Sequence, residues 1–91
     1  MPKTITTCFV EFIPDVLKEG ILYISEKYHT TTHLCPCGCG EKVPIPIDPN
    51  FWDNAWILTV NGDKPTLMPS LLQRFACKSH YFITAGKIVI V

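Results

Sequence analysis

The chain has 91 residues and a mass of 10.3 kDa, a size that excludes a multidomain enzyme with a large substrate cleft and leaves room for one compact unit. Eight Lys plus Arg balance eight Asp plus Glu at a pI near 6.8, so no net field draws the chain to nucleic acid or to an anionic membrane. Apolar residues at 47% and aromatics at 11% argue against disorder, and no run of about 18 apolar residues is long enough to span a bilayer.

Taken in chain order, Thr4 to Ile13 is rich in β-branched and aromatic residues and stops at Pro14, which predicts a strand ended by a turn. Pro14 to Gly20 is expected to make at most two helical turns, with Pro near the start and Gly at the end. Ile21 to Ser25 and Thr30 to Leu34 read as strands. Glu41 to Ile47 leaves the cysteine turn with prolines at 44 and 46, which fits an edge strand or an irregular arm. Residues 48–54 read as a loop, Ala55 to Val60 as a strand, and Asn61-Gly62 as a hairpin turn leading into Lys64 to Met68. Pro69 to Gln73 is expected to form a short helical turn. Tyr81 to Thr84, an Ala85-Gly86 turn and Lys87 to Val91 form a second hairpin. The expected fold is mostly β, small α+β at most, with about six or seven short strands in one domain over residues 1–91.

Five cysteines, an odd count without an export signal, do not suit a disulfide framework. A cytoplasmic location follows, and with it thiolate ligands for a metal. Cys35, Cys37 and Cys39 offer sulfur at alternate positions, and Cys77 and His80 add two ligands spaced for one tight turn. Zinc takes four nitrogen or sulfur ligands in a tetrahedron, and two from each turn would close such a site. The arrangement is similar to the knuckles of zinc ribbons, although a ribbon has two residues between its cysteines and here there is one. An iron-sulfur cluster or plain buried thiols are the competing readings of the same residues.

Whether zinc is structural or catalytic depends on an open coordination position. If two cysteines and His80 bind, a water completes the shell and a carboxylate can take its proton. Glu11 is the first candidate for that base, with a solvated edge-strand glutamate as the alternative; Glu41, directly after the cysteines, is a weaker one. Ser79 can donate to a substrate oxygen. His33 is a substitute ligand, a donor to the site, or the partner of a free cysteine in a Cys-His nucleophilic pair. Cys8 is expected to be a small core residue, and His29 has no partner in view. Phe51, Trp52, Trp56 and Phe75 are expected to build the core, with a Trp on the 48–54 loop as an alternative lining for a peptide groove.

Phe9 to Pro14, Gly20 to Ser25, His33-Leu34-Cys35-Pro36-Cys37-Gly38-Cys39-Gly40 and Cys77-Lys78-Ser79-His80-Tyr81 together resemble a bacterial family of small Cys-rich proteins. Members sit in operons of ubiquitin-like conjugation systems beside relatives of the E1 and E2 enzymes. The resemblance covers most of the chain. It implies a zinc peptidase that processes or removes a ubiquitin-like protein, with Zn2+ held by the cysteine turn, Cys77 and His80, and with Glu11 activating water. The alternative is a binding module in which zinc only staples the fold and an exposed strand edge captures an extended tail. The oligomeric state stays open.

Overall fold

The computed structural model describes residues 4–72 and 80–90. Eight short strands form two four-stranded sheets, and the described residues contain no helix. The first sheet holds β1 (Thr6–Phe9), β2 (Ile21–Ser25), β3 (Thr30–Leu34) and β4 (Lys42–Pro46) in that order. The second holds β5 (Ile57–Asn61), β6 (Lys64–Leu72), β7 (His80–Thr84) and β8 (Lys87–Ile90), also in sequence order. All pairings are antiparallel except β1 with β2.

Both predicted hairpins form. Gly62 and Asp63 join β5 to β6, with Asn61 opposite Lys64. Ala85 and Gly86, with φ of 48° and 76°, make the turn from β7 to β8; two successive positive φ values match the twist of the flanking strands. A Cβ on Gly86 would meet the Ile5 carbonyl oxygen at 3.3 Å and the Lys64 side chain at 3.2 Å. Gly86→Ala is therefore expected to cost roughly 1–2 kcal/mol, from the left-handed conformation and the crowding together, a loss readable in a denaturant titration.

The two expected helical turns are replaced by other structure. Residues 14–20 form bends and a turn, since seven residues bracketed by Pro and Gly are too few to repay helix nucleation. This segment covers the outer face of the first sheet instead: Leu17 is buried, the Lys18 amide donates to the Tyr23 hydroxyl, and the Lys42 ammonium reaches the Asp15 carbonyl. Pro69-Ser70-Leu71 continues β6, because Leu71 pairs with Tyr81 and both enter the core. An irregularity between Leu67 and Leu71 absorbs the proline: four residues along β6 match two along β7.

Inward-facing Leu22, Ile24, Val43 and Ile45 of the first sheet meet Leu67, Leu71, Tyr81 and Ile83 of the second in one core cluster. Full burial of each aliphatic side chain contributes about 1.5–3 kcal/mol. Trp56 packs against this cluster from its rim. Phe51 and Trp52, expected in the core, are 58% and 42% exposed. They lie on the loop after Asp48, where Phe51 stacks on His29 at 4.3 Å and the Trp52 indole donates to the His29 carbonyl. The proline-bearing β4 is an edge strand, as its sequence requires. No helix among the described residues is long and apolar enough to cross a membrane.

Candidate functional site

The cysteine triplet follows directly from β3. The Cys35 amide bonds the Glu41 carbonyl at 2.9 Å, and the Gly38 amide bonds back to the Cys35 carbonyl at 3.2 Å, so the six-residue motif closes into a tight loop. Gly38 and Gly40 have φ of 88° and 83°, values that a side-chain-bearing residue reaches only with strain. The loop gathers the sulfurs of Cys35, Cys37 and Cys39 within 4.8 Å of one another, with Cys35 and Cys37 Sγ atoms 3.4 Å apart. Three corners of a zinc tetrahedron with metal–sulfur distances of about 2.3 Å lie about 3.8 Å apart, so the donor set fits a metal ion. The triplet grades outward: Cys35 is buried, Cys37 half-buried and Cys39 exposed.

Cys77 and Ser79 lie outside the described residues. His80 is described, and its ring is not a member of the sulfur cluster. Its Nε2 lies 2.8 Å from the Ser70 hydroxyl oxygen. In the neutral tautomer with the proton on Nδ1, that hydroxyl donates to Nε2, which is how a general base holds a nucleophile. The backbone explains the meeting. Leu72 is the register partner of His80, and the irregularity in β6 brings Ser70 alongside. Tyr81 and Ile83 turn into the core, so His80 and Phe82 point to the opposite, partly open face. The Trp56 indole donates to the Ser70 carbonyl at 3.4 Å, tying the serine to the start of β5.

The two groups are joined through the core. His33 Nε2 and the Tyr81 hydroxyl share a hydrogen bond of 2.6 Å, with both residues fully buried and their rings edge to face. Burial lowers the His33 pKa to about 4, which keeps the imidazole neutral near pH 7. His33 Nδ1 has no hydrogen-bond partner among the described residues. This contact holds the end of β3, which leads into Cys35, against the start of β7, which carries His80. Tyr81→Phe is expected to cost about 1–3 kcal/mol, because it strands a second polar atom of His33 in the core, and thermal unfolding would measure it.

A family model for the bacterial ubiquitination-like system serine protease (BubE) matches residues 9–91. The chain belongs to this family. No curated protein and no solved structure matches it. The BubE description agrees with the expected link to ubiquitin-like conjugation, while its word "serine" points to a hydroxyl nucleophile where the sequence suggested metal-activated water.

The remaining predicted residues fall elsewhere. Glu11 lies beyond the end of β1, exposed, and pairs with Lys27 at 2.8 Å; it takes the solvated option and is not a member of the sulfur cluster. Glu41 is exposed beside the cysteine loop. Cys8 is half-buried in β1. His29, with no partner expected, contacts Asp48 at 3.3 Å. Ser70 was the residue the sequence did not single out. Its signal was a hydroxyl between Pro69 and Leu71 in a segment that read as a helical turn, and only the strand reading aims it at His80.

Proposed function

We propose that this chain is a serine protease of a bacterial ubiquitination-like system, in which Ser70 is the nucleophile and His80 the general base. What supports the reading is the 2.8 Å bond between Ser70 Oγ and His80 Nε2 on a half-exposed face, together with the BubE family description. The substrate class that follows is a ubiquitin-like protein, as a precursor or in its conjugates, and the E1 and E2 relatives of the same system are the neighbouring partners.

In this mechanism the Ser70 oxygen attacks the scissile carbonyl carbon while His80 Nε2 takes the hydroxyl proton. The tetrahedral species collapses, the C–N bond breaks, and the imidazolium returns the proton to the leaving amine. Water then attacks the acyl ester, giving its proton to His80, and Ser70 is released with its hydrogen restored. Among the described residues no carboxylate bonds the His80 ring, so the described machinery is a dyad oriented by strand packing.

Cys35, Cys37 and Cys39, with Cys77 from the sequence pattern as the fourth ligand, would hold Zn2+ and leave His80 to its serine. A sulfur-rich shell makes the ion a weak Lewis acid, and its contribution is to fix the loop after β3. Ser79, two residues after Cys77, is the rival nucleophile and Glu11 the acid of a rival zinc-water mechanism.

The test is active-site labelling with a fluorophosphonate, which phosphonylates an activated serine. The adduct is expected on the peptide carrying Ser70, and to disappear in His80→Ala. An adduct on Ser79, or cleavage that survives Ser70→Ala, would overturn the assignment. Loss of cleavage in Glu11→Gln with labelling intact would favour metal-activated water instead.

A further inference from the structure

The strand edge of β5 offers a second feature that the catalytic pair does not use. In the hairpin closed by Asn61 and Lys64, Thr59 faces Thr66 and Ile57 faces Met68. The closing pair of a two-residue hairpin exchanges both ladder bonds, and alternation then assigns the ladder bonds to residues 57, 59 and 61. The N–H and C=O groups of Leu58 and Val60 therefore point away from β6. Trp56, of the same parity, confirms the direction: its amide bonds the Pro46 carbonyl at 2.9 Å, and its carbonyl accepts from Asp48 at 3.2 Å. Beyond Trp56 that edge carries no strand among the described residues, since β5 ends its sheet.

A cleft of about 560 Å³ lies along this edge. Its walls include Phe9 and Ile57, which are 53% and 55% exposed. Glu26 and Asp48 bring two carboxylates to the lining, which among the described residues holds no lysine or arginine and only His29, in contact with Asp48, as a basic group. An apolar slot beside unpaired backbone groups, with acid at its rim, has the chemistry of a strand-addition site. Neither Ser70 nor His80 lines it; β5 stands between the cleft and the catalytic pair, and the Trp56 indole, at the start of that strand, donates to the Ser70 carbonyl.

We propose that this cleft binds an extended, basic-and-apolar segment of the protein substrate as an added strand on Leu58 and Val60, with an arginine or lysine side chain meeting Glu26 and Asp48. The proposal rests on the protease reading and names the substrate class of that same site. The occupant is an extended tail or linker of the substrate, which can lie along the slot with its side chains alternating between the two faces.

The probe is a capped hexapeptide alternating valine with arginine, fluorescently labelled and titrated against the full chain carrying Ser70→Ala, so that it is bound and not cut. Binding is expected to weaken about five- to tenfold when glutamate replaces the arginines, and by a similar factor in Glu26→Lys. Methylation of the peptide amides that face β5 is expected to abolish it. Equal binding of the arginine and glutamate peptides, or full binding of the methylated one, would overturn the proposal. In the active chain the unlabelled peptide should raise KM for a protein substrate and leave kcat unchanged. If Ser70→Ala still cleaves, the nucleophile assignment fails and the titration stands; if Ser70→Ala is inactive and the hexapeptide shows no charge preference, the cleft proposal fails by itself.

Discussion

Ser70→Ala is expected to lower kcat by a factor of about 10⁴ to 10⁶ with little change in KM, and His80→Ala to do the same within about tenfold. The two losses should not add, because a nucleophile and its base act as one unit: removing either leaves the other without a task. Ser70 is half-buried on the face of β6 away from Leu71, so losing its hydroxyl should leave the melting temperature nearly unchanged. A double-mutant cycle on cleavage of a ubiquitin-like fusion substrate, with circular dichroism on each variant, measures both points. Additive losses, or an alanine variant with native kcat, would move the chemistry away from this pair.

With zinc held by the cysteine triplet as proposed, its removal is expected to have the largest effect on stability. Structural zinc contributes roughly 10 kcal/mol or more in small domains, and a chain of 91 residues has only a modest core to set against that loss. A strong chelator should therefore unfold the domain, with released zinc titrated by a colorimetric dye. The three cysteines should not be equivalent. Cys35→Ser places a hydroxyl at a residue that is 1% exposed and belongs to the core cluster, whereas Cys39→Ser changes an exposed position. The Cys35 variant should lose both metal and folded state, and the Cys39 variant should lose metal affinity first. A purified chain that contains no metal and melts unchanged in chelator would leave the triplet as ordinary thiols.

Most of the architecture could be read from local chemistry. Gly62 and Gly86 announce their turns because each sits at a positive φ that glycine adopts without strain, and the prolines of Glu41 to Ile47 confine that segment to a sheet edge. The cysteine triplet was legible for a similar reason: its sulfurs are close in sequence and its glycines permit one loop. The parallel pairing of β1 with β2 and the irregular stretch of β6 were not, because both depend on partners distant along the chain. Pro69-Ser70-Leu71 illustrates the limit. Its local preference is a turn, and burial of Leu71 against Tyr81 overrides it. Ser70 and His80 are ten residues apart, and nothing in their local sequence announces that they touch. His80 reads as a ligand because Cys77 stands three residues before it, and that spacing carries no sign of the Ser70 hydroxyl beside its ring.

Tyr81 and His80 are adjacent, yet one anchors the core through His33 and the other reaches Ser70 from the opposite side of β7. Laboratory evolution toward new substrates should consequently find β7 nearly untouchable, since a backbone adjustment that retunes one neighbour dislodges the other. Diversity will accumulate on the rim of β5, where side chains can be exchanged without disturbing either duty.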